Sequence, residues 1–251
     1  MMNKEDYQHF VCVVAGDDPE SLLTQYDKTI KVEPYIVYHY NDAAKLKKAY
    51  LDSYKESKNA KISEDVKQVI DLTIQEIENM DADVFYYELT KDYDIDNNTG
   101  DAISNANPNG KFSYSRIGKV FSVPFLTKDG QETFQTVKSN INWDVMHGGN
   151  TEIYKRAWEM VMENSEPVNE NERHIFENMK DKKSYFEKFE TKENYITSNT
   201  AFWGYAFLSE DLGWVDADDV PDQFVWMSMF YDTFIKNLPD NTLLSIYECV
   251  K

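Results

Sequence analysis

The chain predicts an α+β fold: a mixed sheet built from N- and C-terminal β-α-β units, with a central helical insertion over roughly 140–190. Three observations predict it. Apolar runs rich in β-branched residues stand near both ends, at 9–15 and 242–250. Apolar residues at helical spacing fill much of the stretch between. No repeat, low-complexity tract or Gly/Ser linker divides the 251 residues, so a single domain over 1–251 is expected. With 41% apolar and 14% aromatic residues, the chain can bury a sizeable core.

The run HFVCVVA at 9–15 reads as the first strand. Gly16 ends it, and Asp18 is placed to cap a short helix at 19–27 that opens with Pro19. EPYIVYHY at 33–40 reads as the next strand and completes a β-α-β unit. Asn41 or Asp42 then caps a helix to about 58, with Leu46, Ala49, Tyr50 and Tyr54 on one face. Ser63 caps a helix at 63–79 in which Val66, Val69, Ile70, Thr73, Ile74 and Ile77 form the apolar face. Residues 83–89 fit a helix or a strand equally. Turn formers dominate 90–111, a long loop. A hairpin is expected from 118–126 and 132–137 across Lys128-Asp129-Gly130.

Helices are then expected from Asn150 or Thr151 to about 163, with Ile153, Ala157 and Val161 inward, and at 169–180. The run 195–208 reads as one bent strand or two, with Gly204 at the bend. Asp219 is expected to cap a long helix to about 238, and 242–250 closes the chain as a buried strand paired beside the first.

The strongest polar feature is a charge reversal. Between Glu76 and Asp101 there are nine Asp/Glu and one Lys; from 102 to 128 there is no acid. That second stretch carries Lys111, Arg116, Lys119 and Lys128 among Phe112, Tyr114, Phe121 and Phe125. A net charge of −19 repels duplex nucleic acid and anionic membranes, so neither direct nucleic-acid binding nor membrane association is expected. The acid excess serves solubility, a basic partner, or imitation of nucleic-acid phosphate.

Catalytic patterns are missing from the sequence: it holds no His-x-x-x-His, Cys-x-x-Cys, Gly-x-Ser-x-Gly or P-loop. Asp92, Asp94 and Asp96 alternate as in a calcium loop. The EF-hand pattern then needs Gly and Glu where Asn97 and Ile103 stand, so no metal and no cofactor is expected. Cys12 and Cys249 are expected as buried thiols rather than a disulfide framework. Without a signal-like start or an apolar run approaching 18 residues, the chain is expected to be soluble and intracellular. Trp203, Trp214 and Trp226 fall close together, as a packed core or as a partner anchor.

Val14-Ala15-Gly16-Asp17-Asp18-Pro19-Glu20 resembles the "GDNPE" opening of a family of uncharacterised proteins from bacteriophages and mobile elements of Gram-positive gut bacteria. Residues 107–119 are similar to that family's "NPNAKWDWY-x-IGG-R" core, with Phe112 and Tyr114 where the family carries tryptophans and Lys119 where it carries glycine. Residues 238–244 and Glu248-Cys249 are similar to its "LPDDTLL" and "DC" ending. The resemblance implies phage origin, action in the host cytoplasm, and binding to a host or anti-phage defence protein.

Charge and resemblance together lead to one expectation. The protein is a non-catalytic acidic binder of a basic host or defence protein, with nucleic-acid mimicry as one form of that binding. Asp92, Asp94, Asp96, Asp101, Asp216, Asp218 and Asp219 are the expected partner-facing residues. The alternative is a nucleotide or phosphate-ligand protein, or an enzyme, that uses Lys111, Phe112, Tyr114, Arg116 and Lys119: cations for phosphate, rings for a base.

Overall fold

A computed structural model describes residues 9–118 and 122–251. Its packing divides the chain into two compact units: Met1–Lys28 with Asn109–Lys251, and Thr29–Pro108. One domain was expected. Residues 29–108 instead close a sheet and a core of their own.

The larger unit is built on a mixed sheet, as the α+β reading requires. Strands β1 (His9–Ala15), β5 (Tyr114–Ile117), β8 (Gln135–Val137), β9 (Ala206–Ser209), β10 (Gly213–Asp216) and β11 (Leu243–Val250) compose it. Their order is β10-β9-β1-β11, with β5 and β8 sharing the far edge of β11. The closing strand lies beside the first, antiparallel, from His9↔Val250 to Ala15↔Leu244. β9 runs parallel to β1, and β10 antiparallel to β9. Hence β10 is parallel to β11. The helix α10 (Gln223–Phe230) connects them, which gives the expected C-terminal β-α-β unit with two strands inserted between.

Alternation along β1 divides the core. Val11, Val13 and Ala15 face α10, whose Trp226 and Phe230 are buried with Phe207, Leu244 and Ile246. Burying Trp226 and Phe230 contributes about 1.5–3 kcal/mol each. Cys12 and Val14 face the other side, with Leu22 and Leu23 of α1 (Pro19–Thr24), Leu208 and Tyr247. Asp18 caps α1, its carboxylate accepting the Ser21 N–H at 3.1 Å. Both cysteines are buried and unbridged.

Helices α5 (Trp143–Met146), α6 (Thr151–Met162), α7 (Glu170–Met179), α8 (Lys183–Glu187) and α9 (Lys192–Thr200) fill the expected helical region. Ala157, Trp158, Val161, Phe186 and Tyr195 form their shared core, while Ile153 lies exposed. The strand expected from 195 is a helix to Thr200, because Thr191 caps it through the Asn194 N–H at 3.1 Å. Only 206–209 is strand. Asp222, not Asp219, caps α10, accepting the Phe224 N–H at 2.8 Å. α10 continues as a π-helical turn, Tyr231–Ile235. The expected hairpin shrinks to β6 (Phe125–Leu126) with β7 (Glu132–Thr133), because 135–137 leaves to pair with β11; residues 119–121 lie outside the described ones.

The smaller unit holds β2 (Lys31–Tyr38), β3 (Asp94–Ile95) and β4 (Ala102–Ala106) in the order β2-β4-β3, with α2 (Ala43–Ser57), α3 (Glu64–Asn79) and α4 (Ala82–Thr90). β2 therefore never joins β1, and the expected N-terminal β-α-β unit is absent. The "loop" 90–111 contains two strands. Tyr86 is the hub: its hydroxyl donates to the Tyr38 carbonyl at 2.9 Å and accepts the Ala102 N–H at 2.8 Å. Ser63 caps α3 as expected. Its apolar face is only partly used: Ile77 is buried, but Val69 and Leu72 are 63% and 66% exposed.

Candidate functional site

The cationic segment enters β5 and is held down from both faces of the sheet. Lys111 Nζ meets Asp216 Oδ2 at 3.5 Å, and the same oxygen accepts Trp214 Nε1 at 2.7 Å. Arg116 gives Nε and Nη2 to Glu248 Oε2, at 3.0 and 2.8 Å. Glu248 lies opposite Arg116 in the β5–β11 register and is buried; its other oxygen accepts the Ser122 N–H at 3.2 Å. Each cation thus neutralises a buried carboxylate, an arrangement that is costly to break.

Phe112 is 1% exposed and packs 6.0 Å from the Trp214 ring. As a core residue it cannot stack a ligand unless the sheet opens. Tyr114 is exposed. Lys119 lies outside the described residues. The concavity beside Arg116, about 460 Å³, is lined by Asp18, Glu20 and Asp27, which repel a phosphate.

The expected partner-facing acids divide in the same way. Asp92 and Asp94 are exposed and make no ion pair among the described residues. Asp96 closes the β3–β4 turn, accepting the Asn98 N–H at 2.7 Å. Asp101 faces inward. The Tyr40 N–H above all, then Thr99 and His39, hold its carboxyl below the usual range. Asp216 is buried as described and cannot face a partner. Asp218 is exposed but bound to Lys251 Nζ at 3.2 Å; its pKa is lowered first by the Tyr205 hydroxyl and then by that ammonium. Asp219 is exposed at the end of a 3₁₀ turn.

Sequence reasoning missed a second acidic group. β1 and β9 are parallel neighbours, so the turns that follow them lie at one end of the sheet. Asp17-Asp18 follows β1, and Glu210-Asp211 follows β9. With Glu20 they line or adjoin two concavities around α1, of about 460 and 400 Å³. These five side chains are exposed and make no ion pair among the described residues. Both acid doublets are visible in the sequence; that they meet depends on strand order.

Among the described residues, no group of three His, Cys, Asp or Glu is placed to hold a metal. No described helix is long and apolar enough to cross a membrane. No family model, curated protein or solved structure matches the chain.

Proposed function

We propose that the protein is a non-catalytic acidic binder of a basic protein surface. One observation carries the reading: the carboxylates at 17, 18, 20, 210 and 211 gather at one sheet end without an ion pair among the described residues, while Lys111 and Arg116 are consumed by buried acids. Asp92 and Asp94 add further unpaired charge on the smaller unit. Such a surface steers a basic partner and loses its hold as salt screens it. The resemblance to phage and mobile-element proteins supports a host or anti-phage defence protein as that partner, within the host cytoplasm. Where that partner normally grips nucleic acid, the acids stand in for phosphate.

The phosphate-ligand reading of 109–119 has less support, because Phe112 is buried and acids line the concavity beside Arg116. Pull-down from host lysate at low ionic strength tests the proposal. A basic protein retained on the wild type, and lost with Glu20→Gln/Glu210→Gln/Asp211→Asn, supports it. No retained basic protein overturns it.

A further inference from the structure

A third cavity, larger than the two around α1, is in neither place that charge points to. It lies on the α10 side of the sheet, within the larger unit, with a volume of about 1050 Å³. Val13, Phe202 and Ile246 form its floor, all buried. It opens where β9 begins only at Ala206: the preceding chain turns aside at Gly204, where a Cβ would stand 3.0 Å from Val13 Cγ2 and 3.3 Å from the Val11 carbonyl oxygen.

The walls are fixed. Phe202 N–H donates to His147 Nδ1 at 3.2 Å, Gly148 N–H to the Thr200 carbonyl at 2.8 Å, and Trp226 Nε1 to the Gly204 carbonyl at 2.7 Å. These bonds pin the 147–150 turn and the 200–204 segment from both sides, so the cleft is formed before any ligand arrives.

Its lining is chemically specific. Trp203, Tyr205 and Tyr154 supply aromatic surface. Asn150, Asn199 and Gln223 supply amides. Asn150 stands at the N-cap of α6 with φ 60°, yet its side chain makes no cap bond. No hydrogen bond engages the Trp203 indole N–H or the Gln223 amide among the described residues. Val123 and Val145 stand exposed at the mouth, apolar surface left in water.

Elimination narrows the ligand. The lining holds no Lys or Arg among the described residues, and Lys251 at its edge is already paired with Asp218, so an anion would give up its hydration without a free counter-charge. A cation finds one carboxylate, Asp218, and Lys251 already occupies it. The Asn199 NH2 already donates to the Tyr195 carbonyl at 2.7 Å, but a purely apolar ligand would strand the Asn150 and Gln223 amides and the Trp203 indole N–H. What remains is an uncharged molecule with an apolar face and an edge of donors and acceptors. A sugar ring has both: its C–H face covers an aromatic plane, and its hydroxyls exchange bonds with amides that donate and accept. Sites for drug-sized ligands run roughly 300–1,000 Å³, so the cleft has room for more than one ring.

We propose that this cleft binds a short neutral oligosaccharide, with Trp203 as the stacking platform and Asn150, Asn199 and Gln223 as hydroxyl partners. The site is independent of the acidic surface, and either reading stands without the other. The test is calorimetric titration of the full chain with maltotriose, cellotriose, xylotriose and chitotriose, with adenosine as the contrasting neutral ring. At least one trisaccharide binds with Kd below about 1 mM. Trp203→Ala and Gln223→Ala each weaken it tenfold or more, and Trp214→Phe, on the opposite face of the sheet, leaves it unchanged. Gln223 is exposed at the start of α10, so its variant decides the matter even if Trp203→Ala fails to fold. Absence of binding by all four sugars, binding indifferent to Gln223→Ala, or tighter binding of adenosine overturns the proposal.

Discussion

Arg116 shows one use the protein makes of its outnumbered cations. Glu248 is 2% exposed and depends on that guanidinium for two of its hydrogen bonds. Arg116→Ala leaves a buried carboxylate without that counter-charge and costs about 2–4 kcal/mol in urea unfolding. Arg116→Leu with Glu248→Leu costs less than the single change, because no charge remains to be solvated. Had Arg116 served only a ligand, its removal would leave stability untouched. The cation was legible in the sequence; its partner, 132 residues away, was not, because only the β5–β11 register brings them together.

His147 gives a second residue-scale prediction. Its ring stacks on Tyr231, and its Nδ1 accepts the Phe202 N–H, a role the imidazolium cannot fill. Burial lowers its pKa below the ordinary 6.5, with Lys236 acting the same way and Asp232 opposing. The unfolded chain therefore takes the proton first. The His147 contribution to stability is complete above about pH 6.5 and declines as pH falls toward the lower folded value. His147→Asn flattens that part of the stability–pH curve, as denaturation between pH 7.5 and about 5 measures.

Among elements, α3 shows what periodicity can and cannot reveal. Its spacing and Ser63 cap were readable, since both are local. Which of its apolar residues would be covered was not, because that depends on where α2 and α4 end. Leu72→Lys and Val69→Lys are therefore expected to change stability by no more than about 0.5 kcal/mol. Ile77→Ala costs about 2 kcal/mol or more. A large loss at Leu72 in thermal unfolding would mean that its face is covered.

The end of α10 makes the complementary case. Its π-helical turn leaves carbonyls that Lys138 satisfies, Nζ donating to the Lys236 oxygen at 2.7 Å and the Leu238 oxygen at 2.6 Å. Lys138→Met removes both bonds and lowers stability by about 1–3 kcal/mol in denaturant titration. The run 195–208 misled for a related reason. Its β-branched and aromatic residues suit a strand, but Thr191 and Glu193 begin a helix first, and a capped turn outweighs β-propensity of that size.

For the whole molecule, the α+β class and the pairing of the first and last strands were accessible because continuous apolar, β-branched runs at both ends must be buried. The inserted unit was not, since no linker composition marks residue 29 and the turn formers around 108 read only as a loop. The net charge of −19 is a property of the sequence, yet its distribution emerges only from topology. Parallel β1 and β9 bring Asp17-Asp18 and Glu210-Asp211 to one end, while Lys111 and Arg116 are paired with buried carboxylates of the sheet. A basic partner would therefore meet the larger unit at that end.

The salt dependence of the affinity for the captured basic partner tests this directly. Measured from about 0.05 to about 0.5 M salt, the wild-type Kd should rise steeply. Glu20→Gln/Glu210→Gln/Asp211→Asn should bind more weakly at low salt and respond less to added salt. An affinity that is flat across that range, or equal in the two proteins, would contradict the account.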